Sequence, residues 1–413
     1  MRIFKQFDNG LRLIINKMEG FVSVSAGVLV KTGSINESSE ENGISHFIEH
    51  VMFKGTKKRT AFEISDQIDR IGAQINAFTS KELTCYYTKS TAEHLSESLE
   101  ILSDIFFDSV FDKEELEKEK GVIIEEINMS EDTPEELCLD LLAKSYYGTS
   151  GLGQTILGPA KNIKRFTRDD VKKYMDKYYT ADNVVISLSG DVDVPRAVAF
   201  VEEYFADKFN KKKSASQKKI KNAPLKNLYK SKRIEQTHIG FAMKGFSVND
   251  ERADAFAIAN TVLGGGMSSR LFQKIREELG LAYSVYSYAS QYKDSGVLEI
   301  YAGVNTSARD LAVEAIVNEV KRFKKDGITE QEFLRGKEQI KSAFILGRES
   351  TASQMLLYGK YLIYLNKQFD VEERLKKLEK LTLSDVLDVI DTSFDIENSA
   401  TATVGSKRSP IKL

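Results

Sequence analysis

Residues 43–56 read GISHFIEHVMFKGT and set His46 and His50, two of the chain's four histidines, four positions apart with Glu49 against the second. At 100° per residue, Ile44, Phe47, Ile48 and Val51 form a core-facing helical stripe, and His46, Glu49 and His50 fall on the opposite side. Two imidazoles one turn apart can hold a single ion, so the chemistry this spacing allows is metal-assisted, with a carboxylate beside it for proton transfer. Glu40 and Glu41 suit the start of that helix and Gly55 its end. Such a pair bracketing a carboxylate arises by accident in well under ~1% of chains so poor in histidine. His94 and His238 have no comparable company and read as structural or surface residues.

A hydrolytic zinc site takes a third protein ligand and keeps a position for water. The stretch DKEELEKEKGVIIEEINMSED, 112–132, offers several carboxylates. Measured from Leu116, Ile123 and Ile127 continue an apolar stripe, and Glu125 points away from it. Glu119 and Glu126, seven apart, share a face at its border. A carboxylate at a buried edge needs a partner, so periodicity prefers Glu126 or Glu119 to Glu125 without choosing between them.

The elements that must position these groups belong to a chain of 413 residues, beyond the usual size of a single core. Hydrophobic residues at 41% and charged residues at 29% are ordinary for a soluble globular protein. A net charge of -2 gives no pull toward nucleic acid or anionic lipid. The opening MRIFKQFDNGLRLII is neither a signal peptide nor a bilayer span, which leads to the expectation of a cytoplasmic protein with no membrane partner. Cys85 and Cys138 are too few for a disulfide framework and read as reduced packing residues.

The chain begins as a hairpin around the DNG turn at 8–10, followed by a strand near VSVSAGVLVK. Thr60 and Glu63 have capping-box spacing at the start of a helix that Gly72 ends. INAF and LTCYYTK read as strands, 91–107 and 112–129 as long helices, VVISLSG as a strand and 194–209 as an amphipathic helix. Residues 210–225, NKKKSASQKKIKNAPL, cannot bury a core and read as a basic linker. Beyond it the text repeats: GVLVKTGSINE at 27–37 aligns without a gap on GFAMKGFSVND at 240–250, and strand-then-long-helix patterns recur after it. The expectation is an α+β fold of two duplicated halves, 1–209 and 226–413, each a mostly antiparallel sheet with helices packed on one face.

Taken together, these stretches resemble the inverzincin metallopeptidases that include pitrilysin, insulysin and the mitochondrial processing peptidase. The order His-x-x-Glu-His is the reverse of the commoner zincin order, EKGVIIEEI is similar to the family's text around its third ligand, and INAFTSKELTCYY, GQTILGPAKNI and GGGMSSRLFQKIREELGLAYSVYS look like family blocks, so the likeness spans nearly the whole chain. It implies one zinc ion per chain on His46, His50 and Glu126, with Glu49 as general base and Glu119 as the carboxylate behind the ligands. It also implies that Arg276 and Tyr283 of the second half reach substrate, a bet that the residues alone would not make for Arg276. In the family, peptide substrates add as a strand along the segment matching Asn76, Ala77, Phe78 and Thr79.

At the repeat offset, His46, Glu49 and His50 correspond to Ala259, Val262 and Leu263, so the second half reads as a substrate platform without zinc ligands. Family members of this length work as dimers enclosing a chamber, and a homodimer is expected here because one chain carries both the zinc motif and the Arg/Tyr pair. The glycine-rich GGGMSSRLF is short where the non-catalytic processing-peptidase subunit has a long loop. The implied function is a zinc endopeptidase acting on extended peptides. The rivals are a non-proteolytic structural or partner-binding subunit of the same fold and an iron(II) oxygenase triad, the latter having no use for a base at Glu49.

Overall fold

A computed structural model describes residues 1–209, 213–215, 220, 224–406 and 411. The expected basic linker at 210–225 lies in large part outside them. The first half runs β1 (Arg2–Gln6), β2 (Arg12–Lys17), β3 (Ser23–Val30), α1 (Ile44–Val51), α2 (Ala61–Arg70), β4 (Gln74–Thr79), β5 (Thr84–Thr91), α3 (Leu95–Asp108), α4 (Lys113–Asp132), α5 (Pro134–Tyr147), α6 (Ala160–Arg165), α7 (Arg168–Tyr178), β6 (Val184–Gly190) and α8 (Val194–Tyr204). The second runs β7 (Asn227–Ser231), β8 (Gln236–Lys244), α9 (Ala253–Gly264), β9 (Ala282–Gln291), β10 (Gly296–Asn305), α10 (Arg309–Asp326), α11 (Glu330–Leu346), α12 (Thr351–Leu365), α13 (Val371–Lys380), α14 (Leu383–Ser393) and β11 (Ala400–Gly405).

Each half forms its own sheet. The first has the order β1-β2-β6-β3-β5-β4 and the second β7-β11-β8-β10-β9. All pairings are antiparallel except β2 with β6 and β11 with β7. Apart from the added β1, the two orders superpose element for element, so the duplication seen in the text is also a duplication of topology. The capping box predicted at Thr60 and Glu63 is present, with Gly72 in a left-handed turn two residues past the helix end.

The compact units are not contiguous halves. One comprises 1–127, 155–218 and 346–369, the other 128–154, 219–345 and 370–413. They differ from the expected division by two segments, each lent by one half to the other's sheet, and the pattern of β3 shows why. Val24, Ala26, Val28 and Val30 join the core on the side of α3 and α8, each valine contributing up to about 1.5–3 kcal/mol on burial. The alternate residues Ser25, Gly27 and Leu29 face α12: Ser25 Oγ lies 2.9 Å from Thr351 Oγ1, and Gly27 and Leu29 lie against Met355 and Gly359.

The second unit repeats this arrangement. Ile239, Phe241 and Met243 of β8 join the core with α9, α10 and α14, while Gly240 lies under Leu142 of α5. Gly27 and Gly240 are the same position of the repeat, and each lets a helix approach a strand closely. A strand buried on both faces needs such small residues on one of them.

At Gly359, a Cβ would stand 2.7 Å from Leu29 Cδ2 and 3.2 Å from Ser187 Cβ. Gly359→Val is therefore expected to destabilise the first unit by about 1–3 kcal/mol through overpacking. An unchanged urea midpoint would contradict this close helix-to-sheet approach.

Candidate metal centre

The helix carrying the histidine pair has eight residues, too few to stand alone. Its N-cap, Gly43, has φ 100° and offers no side chain to the first amides. Glu37 supplies the missing acceptor: Oε2 accepts from the Gly43 amide at 2.8 Å and from Asn42 Nδ2 at 2.9 Å, and Oε1 accepts from the Ser45 amide at 2.9 Å. Their position before the helix suggests Glu40 and Glu41 for this role. Glu41 instead exchanges hydrogen bonds with Ser38 and pairs with Lys177. The available signal was the repeat, in which Glu37 matches Asp250, whose carboxylate accepts from the Arg252 amide before α9.

With Ile44, Phe47, Ile48 and Val51 buried, His46, Glu49 and His50 emerge on the other face of α1. From α4, Glu119 and Glu126 reach the same face, while Glu125 is exposed. His50 Nδ1 donates to Glu119 Oε2 at 3.1 Å, which puts the proton on Nδ1 and leaves the Nε2 lone pair free. Glu126 Oε2 stands 3.4 Å from His50 Nε2 and 3.7 Å from His46 Nε2. One donor atom from each of His46, His50 and Glu126 lies within 4.8 Å of the other two, the one such group among the described residues. These separations are long for hydrogen bonds, whereas bonds of about 2.0–2.1 Å in a tetrahedron set neighbouring donors about 3.3 Å apart. The donor set fits zinc.

The electrostatics agree with a ligand cluster. Burial, then the neighbouring His50, pushes the His46 imidazole down to about 4, leaving it neutral at ordinary pH. Its Nδ1 is buried without a hydrogen-bond partner. At His50 burial also works downward, but the bond to Glu119 and the charges of Glu126, Glu49 and Glu119 outweigh it, and its pKa stands above the ordinary value. Glu119 is buried, which raises its pKa, but its bonds to His50 and Lys54 win and hold it low. Lys54 Nζ meets Glu119 Oε1 at 2.7 Å. Lys54 sits one helical turn beyond His50, a spacing that marks it for the same face.

Glu49 Oε2 accepts from Thr79 Oγ1 at 2.5 Å. Burial raises the Glu49 carboxyl above its usual range, and the Thr79 bond opposes that shift. Thr79 ends β4, which carries Asn76, Ala77 and Phe78 and, among the described residues, pairs only with β5, so its other edge is open there. Asn76 Oδ1 accepts from the Ala77 amide at 2.8 Å. In the second unit, Arg276 lies on a π-helical turn, Phe272–Glu278, with its guanidinium 4.7 Å from the rings of both Phe272 and Tyr283. Tyr283 is 76% exposed. The repeat counterparts of His46, Glu49 and His50, namely Ala259, Val262 and Leu263, are buried core residues of α9.

Comparison with known proteins finds a family for the chain. Residues 13–160 match the family described as Insulinase (Peptidase family M16), and 165–340 match the Peptidase M16 inactive domain. The uncharacterized zinc protease YmxG of Bacillus subtilis is 44% identical over 92% of each chain. The chain belongs to peptidase family M16. An uncharacterized zinc protease of Streptomyces coelicolor is 34% identical over 91% of this chain and 84% of its own. A protease from Helicobacter pylori superposes with a TM-score of 0.90 at 25% identity, covering 98% of this chain and 99% of its own. The segment matched as inactive contains α9, where Ala259, Val262 and Leu263 stand at the repeat positions of His46, Glu49 and His50. Among the described residues, no helix is long and apolar enough to cross a membrane.

Removing one candidate donor should abolish tight metal binding, whereas removing the support behind His50 should only weaken it. Metal analysis after dialysis is expected to find no zinc in Glu126→Gln and about 10–100-fold weaker zinc in Glu119→Gln. Zinc should be unchanged in the exposed control Glu125→Gln. Full zinc retention by Glu126→Gln would contradict the donor set.

Proposed function

We propose that the chain is a zinc-dependent endopeptidase that cleaves extended peptides or unfolded segments, holding one zinc ion with His46, His50 and Glu126 and working as a homodimer. The observation that carries this reading is the convergence of three donor atoms beside Glu49, a carboxylate tied to the open edge of a strand. Zinc bound there would supply Lewis acidity, polarising the scissile carbonyl and lowering the pKa of a water toward neutrality.

The chain's own residues do the rest. Thr79 engages one oxygen of Glu49 and so leaves the other to take the proton of the attacking water and return it to the departing amine. Glu119 holds His50 in the tautomer that keeps Nε2 available. A substrate strand added to the edge at Asn76, Ala77, Phe78 and Thr79 would be gripped through main-chain bonds, which tolerate varied sequence. Tyr283 and Arg276 are assigned to stabilise charge on the tetrahedral carbonyl oxygen. The rival, a non-proteolytic subunit, draws on the inactive-domain match of 165–340.

Three measurements test this reading. Glu49→Gln should retain zinc and lose roughly 10²–10⁴-fold in cleavage of unstructured peptides, and a zinc-loaded native protein that cuts none of them would favour the rival. In Thr79→Val the loss of a donor to the charged carboxylate raises the pKa of Glu49, so the acid limb of kcat/KM should move to higher pH; a shift downward or none contradicts the role of Thr79. Light scattering should return twice the chain mass, and a monomer at working concentration would remove the dimer from the proposal.

A further inference from the structure

The open edge of β4 has two faces, and the candidate centre uses one of them. Thr79 turns its hydroxyl to Glu49 on the α1 side, so Phe78 and Asn76, one and three residues earlier, turn to the other. The register agrees. Phe78 pairs with Cys85 and Cys85 with Leu29, while Asn76 pairs with Tyr87 and Tyr87 with Gly27. Directly paired residues share a face, and Leu29 and Gly27 lie against Met355 and Gly359 of α12. Phe78, Asn76 and Tyr87 therefore line the α12 side of the edge, where each is half-buried or exposed.

The charge on this side has one sign. Lys89 and Lys360 are the only charged residues of β4, β5 and α12, and Lys89, paired with Gln74, lies on the same face. Lys360 is exposed, holds its ammonium 5.6 Å over the Phe78 ring and makes no ion pair among the described residues. Burial pushes the Cys85 thiol up, and of the charges acting on it Lys360 outweighs Glu49. Glu49, the carboxylate bonded to β4, is on the α1 side. A cation–π contact at an exposed site is weak, so the ammonium is available to a stronger partner. A strand added to β4 sets one residue directly across from Phe78, the two Cβ atoms about 4.5–5.5 Å apart, and its side chain runs along the ring toward Lys360. An acidic side chain gains a charge partner there, an uncharged one gains only the ring, and a basic one is repelled.

We propose that Lys360 is a specificity-determining residue, by which the β4 edge selects extended peptides that carry an acidic side chain on the Phe78 face. This rests on the reading of β4 as the edge to which a peptide substrate adds, and it is tested by binding, so that selectivity and cleavage can fail separately. Fluorescence anisotropy on the full chain carrying Glu49→Gln, which spares bound peptide, would use end-blocked, labelled peptides of Ala, Thr and Ser with one central Glu, Gln or Lys. The Glu peptide should bind about five- to tenfold more tightly than the Lys peptide, with Gln between them, since attraction in one is exchanged for repulsion in the other at an exposed site. Adding Lys360→Glu should reverse the order, whereas Lys360→Arg should keep it. Lys172→Glu, the same charge change at an exposed position of α7, should also keep it. Equal binding of the Glu and Lys peptides, an order unchanged by Lys360→Glu, the same reversal by Lys172→Glu, or no binding of any peptide would overturn the proposal. Acid-selective binding without cleavage by the native chain would support it and count against the peptidase reading, and cleavage with no acidic preference would do the opposite.

Discussion

An eight-residue helix cannot be stable in water by its own hydrogen bonds, and His46, Glu49 and His50 of the candidate centre depend on one. Its start is made by the buried carboxylate of Glu37, which takes two backbone amides and the Asn42 side chain. Burial pushes that carboxyl above its usual range, against the pull of those bonds. Ser45 adds a second tie, its hydroxyl 2.9 Å from Tyr174, which also meets Thr32. The apolar stripe then seats α1 on the core, and the opposite face can carry polar groups without a choice of orientation.

Those groups form a chain of mutual support. Lys54 charges Glu119, Glu119 orients His50, and Thr79 restrains Glu49 at the end of an open strand edge. Buried carboxylates and imidazoles at such separations repel or compete unless each has a partner. Glu119 and Glu49 have theirs within the protein. Glu126 and the two free Nε2 atoms converge without bonding one another well, which is the feature a metal ion would resolve.

Much of this was legible in the text because it is periodic. The faces of α1 and α4, the exposed Glu125, the hairpin turn and the capping box at Thr60 all follow from spacing, and the repeat announced two sheets of one design. The start of α1 was not legible, since Glu37 lies seven residues before the helix and Glu40 and Glu41 are nearer. Periodicity left Glu119 and Glu126 equal, because both border the same stripe; the resemblance chose Glu126, whose Oε2 stands 3.4 Å and 3.7 Å from the two Nε2 atoms, whereas Glu119 meets His50 at Nδ1. The exchange of α5 and α12 was also hidden. A helix pattern says that a face is apolar but not which sheet it covers, and the trace left in the sequence is only a glycine at 27 and at 240.

The repeat gives one design two uses. In the first unit the helix after the shared motif presents histidines, and in the second the same helix is packed with Ala259, Val262 and Leu263. The most direct test of the centre is an anomalous difference map recorded on either side of the zinc absorption edge from crystals of the purified protein. The account predicts one peak per chain, within bonding distance of His46 Nε2, His50 Nε2 and a Glu126 oxygen, with Glu119 outside that distance. A peak held by Glu119 in place of Glu126, or zinc bound only elsewhere on the chain, would contradict it.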